Sequence, residues 1–330
     1  MRSNDPLTDT STDTENRLKV GVIGAGAIGS ALGELMTANG RAVKYWDHEP
    51  AKRTAVTLEE LVTSSRIIIL CVSTAAVGAL AAEVAAVERA AAKRVTAEQA
   101  AAAQNAGDRR LLVTVAKGVA DGFVTADQLL AQAVEDRFDV GVFYGPMLAA
   151  EVARQGRLAG ILAVSDERWF GSLDGAFGER SRVEYSSGVR SVAVCGVLKN
   201  VYSLAFGLAA GLGWGNNDRG RLLVAIMAEF RPVLAALGGE PGDAEGLAGL
   251  GDLLATGSSD LSFNYRAGVA LATGGRAAGE GVNSLRQLTS TLDAGKYPIV
   301  SILSRIAFDG AEADLLARVV AFSNHSATML

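Results

Sequence analysis

Lys199 lies in an otherwise uncharged run, Ser191-Val-Ala-Val-Cys-Gly-Val-Leu-Lys-Asn-Val-Tyr-Ser-Leu-Ala-Phe-Gly-Leu-Ala-Ala-Gly211, whose composition predicts a buried helix. An ammonium is almost never fully buried without a partner, because its desolvation is costly. Burial lowers the pKa of an amine toward neutrality, which suits it to moving a proton. The same position also fits a lysine that snorkels from the edge of a core helix. Two other segments invite chemistry. Lys117 follows the apolar run Leu111–Val115, where a solvated loop lysine is the ordinary alternative. Gly249-Leu-Gly-Asp252-Leu-Leu-Ala-Thr256 sets an acid and a hydroxyl on one face if it is helical. On spacing alone, Asp252 reads more simply as a first-turn acid favoured by the helix dipole.

Histidine offers little to this chemistry. His48 sits in a turn-like Asp-His-Glu-Pro stretch and His325 is near the C-terminal end, and neither has ligands around it at zinc spacing. No metal site is expected, and a histidine-based triad is not supported. Proton transfer would fall to Lys, Asp, Glu or Tyr.

The elements that must position these groups follow from pattern and composition. A chain of 330 residues, 49% hydrophobic and 20% charged, has material for two cores. Lys19–Ile23 reads as a buried parallel strand running into Gly24-Ala-Gly26-Ala27-Ile28-Gly29, and a helical pattern follows to Asn39. A strand-loop-helix context is what this glycine pattern requires to cradle a dinucleotide pyrophosphate. A second strand, Ala42–Trp46, delivers Asp47, an acid placed to bond a ribose diol and repel a 2′-phosphate. NAD is therefore the expected cofactor and NADP the lesser one, although His48, Lys52 and Arg53 lie close by. Strands are expected at Arg66–Val72, ending at Ser73, at Leu111–Val115, at Val140–Phe143 and, more weakly, at Leu158–Val164 and Val183–Tyr185. Helices are expected at Leu58–Val62 and over 75–103. This alternation implies an α/β doubly wound sheet with ligands at the strand ends.

Past Gly188 the strand pattern stops, and helices are expected at Val189–Leu212, Asp218–Leu237, Ala244–Ala255, Leu261–Thr273, Asn283–Leu292 and Ile299–Phe308. The organisation expected is a disordered tail over 1–18, a dinucleotide-binding domain over 19–187 and an all-α domain over 188–330. A net charge of −5 without a basic run argues against nucleic acid as a partner. No apolar stretch of membrane-span length is free of charges or Gly breaks. Cys71 and Cys195 read as buried free thiols of a reducing compartment, so a cytoplasmic protein is expected.

Together these segments resemble the soluble, bacterial type of NAD(P)-dependent glycerol-3-phosphate dehydrogenase. The resemblance rests on Gly24–Gly29, Ala116-Lys117-Gly118, Gly145-Pro146, Leu198-Lys199-Asn200, Gly246–Leu253, Asn264 with Arg266, and Glu280-Gly281, in family order from about residue 19 to 310. It implies a Rossmann domain, a helical domain and an active site between them. It further implies Lys199 as general acid/base, with Lys117, Asn200, Asp252 and Thr256 around a small-molecule substrate. Asn264 and Arg266 would bind substrate, Glu280 would lie near the nicotinamide ribose, and the protein would be a homodimer.

Departures from the family pattern are specific. Phe263 stands where the family carries a phosphate-contacting arginine, and Met147 and Leu148 replace a small polar residue and an aromatic. The segment before Thr57 is short, and Cys71-Val-Ser73 replaces a Val-Pro-Ser type of strand end. These changes imply, as an alternative, a different and non-phosphorylated short hydroxy compound as substrate. A non-catalytic NAD-binding sensor is the reading from another class, and joint retention of Lys117, Lys199, Asp252 and Thr256 argues against it.

Overall fold

The computed structural model describes residues 19–94, 109–134 and 137–322. The expected tail at 1–18, the end of the helix expected over 75–103, and His325 lie outside the described residues. Seven strands form the main sheet: β1 (Lys19–Ile23), β2 (Ala42–Trp46), β3 (Ile67–Leu70), β4 (Arg110–Thr114), β7 (Phe138–Tyr144), β8 (Ala159–Val164) and β9 (Arg182–Ser186), in the order β2-β1-β3-β4-β7-β8-β9. The first five are parallel. Strand β8 runs antiparallel to β7 and β9 parallel to β8, so the far edge reverses. A two-stranded ribbon, β5 (Val119–Ala120) with β6 (Val124–Thr125), hangs from the loop after β4.

Strand β3 shows why the sheet is buried on both faces. Ile67 and Ile69 pack into one core with Leu32, Met36 and Phe177, while Ile68 and Leu70 pack into another with Leu61, Val77 and Leu130. Side chains alternate along a strand, so an unbroken apolar run needs cover on both sides. Helices α1 (Ala27–Ala38) and α5 (Ala149–Gln155) contribute to the first cover; α2 (Leu58–Ser64), α3 (Thr74–Ala92) and α4 (Ala126–Ala133) contribute to the second.

The chain then becomes helical, with α6 (Val189–Gly211) at its centre. Every residue from Ser191 to Ala209 is buried, as expected of a helix that is apolar all round. By length and composition α6 is long and apolar enough to cross a membrane even though Lys199, Gly196 and Gly207 interrupt it; its apolar window is wholly buried inside the protein. Around it pack α7 (Asn216–Ala236), α8 (Asp252–Gly257), α9 (Phe263–Ala272), α10 (Glu280–Thr291) and α11 (Pro298–Phe308), and α12 (Leu315–Phe322) packs on α7 and α11. The single helix expected over Ala244–Ala255 is instead a 3-10 turn (Pro241–Glu245), a π turn (Leu247–Gly251) and then α8. Gly246, Gly249 and Gly251 remove side chains and let the backbone depart from a regular α ladder.

Glu229 of α7 ties this bundle together. Its carboxylate accepts from the Ile299 and Val300 amides at 2.7 and 2.9 Å, capping α11, and from the Tyr202 hydroxyl of α6 at 3.1 Å. Burial pushes the Glu229 carboxyl up to about 7 from 4.5, against the pull of those donors. Glu229→Ala leaves three polar groups without a partner and should cost about 3 kcal/mol. A pKa raised on folding means that the native state binds the proton more tightly. That contribution is complete below pH 4.5 and is lost as pH rises through about 7. Urea unfolding should therefore show a larger loss for Glu229→Ala at pH 5 than at pH 8; an equal loss at both would contradict this.

Candidate active site

The glycine loop joins β1 to α1, and its shape is set by close backbone contacts. Gly24 has φ +95°, and a Cβ there would lie 2.5 Å from the Cys71 carbonyl oxygen; one on Gly29 would lie 2.0 Å from the Gly24 oxygen. Gly26 is different, since a Cβ there would meet nothing within 4 Å and the loop opens outward at that point. Helix α1 starts at Ala27 with no side-chain cap and no acid in its first turn, which leaves its N-terminal amides for an anion. Such a cradle fits a dinucleotide pyrophosphate.

Asp47 sits at the end of β2 with only 6% exposure. Its carboxylate accepts from the amides of Ala25 at 2.8 Å and Glu49 at 2.9 Å. Burial opposes its charge, but the Glu49 and Ala25 amides with His48 and Lys52 outweigh that effect and hold the carboxyl below its ordinary value. Asp47 thus braces the glycine loop as well as carrying charge beside it. Asp47, His48 and Glu49 also bring three potential metal-ligating atoms within 4.8 Å of one another, a proximity the sequence reading did not expect.

Lys199 and Lys117 converge on Asp252. The Lys117 ammonium donates to Asp252 Oδ2 at 2.6 Å and to the Gly145 carbonyl at 3.0 Å, and the Lys199 Nζ lies 3.3 Å from Asp252 Oδ1. Lys199 is 5% exposed and Asp252 1%. Two cations share one carboxylate, so the cluster carries a net positive charge. Desolvation lowers the Lys199 pKa to about 8, assisted by Lys117 and opposed by Asp252 and Glu280. Lys199 is not a snorkelling lysine, and Asp252 is more than a dipole-favoured acid: although it begins α8, its side chain is taken up by the two lysines.

The remaining residues divide into those facing the cleft and those bracing it. Asn200 donates to the Lys117 carbonyl at 3.1 Å, and its oxygen accepts from Asn264 at 2.8 Å. Asn264 in turn accepts from the Gly281 amide at 3.0 Å. The amides therefore link α6, α9 and α10 to the loop after β4. Thr256 donates to the Asp252 carbonyl at 2.7 Å and lies 2.9 Å from the Ser203 hydroxyl. Arg266 is exposed, bonds the Asp260 carbonyl, and stacks 4.4 Å over the Phe263 ring, which is itself 78% exposed. Glu280 accepts from the Thr74 hydroxyl at 2.9 Å, and the Gly118 amide donates to the same hydroxyl at 3.0 Å. Ser73, expected to bind cofactor at the end of β3, is exposed, and it is its neighbour Thr74 that bonds Glu280. Gly145 and Met147, one part of the family resemblance and the other a departure from it, both reach the site, while Thr74 was not singled out as a site residue. The strand end before Thr74 was the available signal for it.

A cleft of about 290 Å3 is lined by Ile28 of the glycine loop, Cys71, Met147, Lys117, Lys199 and Glu280. The cradle and the lysine cluster open into one space. A second cleft of about 390 Å3, lined by Ser73, Thr74, Gly118, Glu280 and Asn283, adjoins it through Glu280.

Comparison with known proteins places the chain by family and by fold. Residues 19–170 match the family described as NAD-dependent glycerol-3-phosphate dehydrogenase N-terminus, and residues 188–318 the one described as its C-terminus. Glycerol-3-phosphate dehydrogenase (NAD(P)+) of Azotobacter vinelandii is 34% identical over 312 residues, covering 89% of this chain and 91% of the relative. The protein of that name from Synechococcus elongatus is 34% identical over 301 residues, covering 86% and 90%. Among solved structures, glycerol-3-phosphate dehydrogenase from Coxiella burnetii superposes with a TM-score of 0.75 at 22% identity, covering 94% of this chain and 99% of that one. The Plasmodium falciparum enzyme superposes with a TM-score of 0.74 at 13% identity, covering 96% and 98%. These two likenesses are of fold.

Proposed function

The chain belongs to the NAD-dependent glycerol-3-phosphate dehydrogenase family, an oxidoreductase acting on a CH–OH group, and from that premise we propose that it interconverts sn-glycerol 3-phosphate and dihydroxyacetone phosphate with Lys199 as general acid and base. The observation that carries this reading is the single cleft shared by Ile28 of the cradle and the buried Lys199. Gly24–Gly29 and the N-terminal amides of α1 would hold the pyrophosphate of NAD, which would supply a hydride acceptor and, in its reduced form, a hydride donor. We take 19–187 as the unit that binds it and 188–330 as the unit that completes the substrate site. The ionised Asp47 beside the loop supports NAD over NADP, since a 2′-phosphate would meet its charge.

In ketone reduction the Lys199 ammonium gives a proton to the oxygen that gains negative charge, and in alcohol oxidation the neutral amine takes it back. A pKa of about 8 keeps both forms accessible near neutrality. Lys117 is held by Asp252 and the Gly145 carbonyl, which fixes its charge at the cleft wall. Asp252 keeps two cations compatible in a buried site. The amides of Asn200 and Asn264 and the hydroxyl of Thr256 are engaged with the protein, which supports a positioning role for all three.

Phe263 supports a second reading. An exposed ring stands where the family has a phosphate-contacting arginine, and Arg266 is stacked on it. A non-phosphorylated hydroxy compound would suit that rim. The test is NADH consumption with dihydroxyacetone phosphate and with hydroxyacetone. Turnover confined to the phosphate ester supports the first reading. Turnover of hydroxyacetone alone supports the second, and none with either ketone would overturn both.

A further inference from the structure

We propose that the cavity behind the Gly145–Leu148 turn binds a small phosphate monoester with an apolar portion, and that this occupant acts on the lysine cluster through the backbone. The cavity measures about 340 Å3 and is separate from the cleft of Lys199. Arg157, Arg180 and Arg182 line it against one carboxylate, Glu151. In a chain of net charge −5 that is a local excess of positive charge. Arg157 and Arg180 are held at the rim by Gln155, through its side-chain oxygen at 3.2 Å and its carbonyl at 3.4 Å respectively. Each of these bonds uses one of five guanidinium donors. Arg182 pairs with Glu184 at 2.6 Å and is already partly neutralised. Planar guanidiniums match phosphate oxygens two at a time. Leu148, Val152 and Leu158 supply an apolar wall that bare phosphate would not use.

Two segments share their faces between this cavity and the lysine cluster. Gly145 has φ +141°, and a Cβ there would lie 2.6 Å from the oxygen of Ala159, a cavity residue; its own carbonyl accepts from Lys117. Ala255 lines the cavity from α8, the helix begun by Asp252. Pro146 lines it too, and its Cδ lies 3.9 Å from where a Cβ on Gly251 would stand. Neither acceptor of the Lys117 ammonium lines the cavity itself, but Gly145 directly precedes Pro146, and Asp252 begins the short helix that carries Ala255, so each is one segment removed from a cavity wall. An occupant that shifts either wall changes how Lys117 is held.

The test uses the cofactor-free full chain, so it stands or falls without any turnover. Calorimetric titration should show phenyl phosphate binding more tightly than inorganic phosphate. The double variant Arg157→Ala, Arg180→Ala should weaken phenyl phosphate by about tenfold or more while NADH affinity stays at the wild-type value, which also reports that the variant is folded. Arg157→Lys with Arg180→Lys should fall between the two. Hydrogen exchange should slow at residues 145–148 and 252–257 when phenyl phosphate is added to wild type, and not in the double alanine variant. Absence of phenyl phosphate binding, binding unchanged in the double alanine variant, or unchanged exchange in those segments would each overturn the proposal.

Discussion

Lys199→Ala should lower turnover about a thousandfold in either direction while NADH affinity stays within about twofold of wild type. The size follows from what a positioned acid contributes when charge builds on an oxygen away from water. The selectivity follows from the geometry, because Lys199 reaches Asp252 and the cleft, whereas the glycine cradle is built from β1, α1 and Asp47. The variant should remain folded, since Lys117 still neutralises the Asp252 carboxylate at 2.6 Å. Lys199→Arg sharpens the test. It keeps the charge but cannot give up a proton near neutral pH, so it too should be nearly inactive. Steady-state kinetics and NADH fluorescence titration check both; turnover near wild type in Lys199→Ala would remove the assignment.

Asp252→Asn should have the largest effect on stability, costing about 3–5 kcal/mol, because it leaves two buried cations without their shared counter-charge. Both lysine side chains are largely buried, with Lys117 13% and Lys199 7% exposed. Part of the cost is relieved if Lys199 deprotonates, since Asp252 is foremost of the two carboxylates that raise its pKa. The variant should thus lose stability most at low pH, where both amines stay charged, and recover some as pH rises. Urea unfolding at pH 6 and pH 9 reads this directly. A loss under 1 kcal/mol at pH 6 would show that the carboxylate does not carry the cluster.

The oddness of Lys199 was visible in the sequence because its helix has no polar face for a cation to occupy. The partnership with Lys117 and Asp252 was not, since it joins residues 135 positions apart across two parts of the fold. The sheet was legible where the pattern is local: Ile67–Leu70 can only be a strand covered on both faces. The reversal at β8 was not, because strand direction depends on how the chain returns and leaves no mark in composition. The π turn at Leu247–Gly251 escaped for a related reason, as its Gly-Leu-Ala-Gly-Leu-Gly segment fits a helical period while its glycines loosen the ladder. Asn200 and Asn264 were located at the site by resemblance, yet only the fold shows that their amides are spent on backbone and on each other. Ser73 and Thr74 differ by one residue, and the turn into α3 decides which hydroxyl meets Glu280.

The central claim is that Lys199 moves the proton, and the pH dependence of turnover in the two directions tests it most directly. Ketone reduction needs the ammonium, so its rate should fall as pH passes about 8; alcohol oxidation needs the amine, so its rate should rise through the same point. The predicted result is a pair of opposed titrations sharing one inflection that Lys199→Ala abolishes. Titrations that move together, or an inflection that survives in Lys199→Ala, would contradict the account.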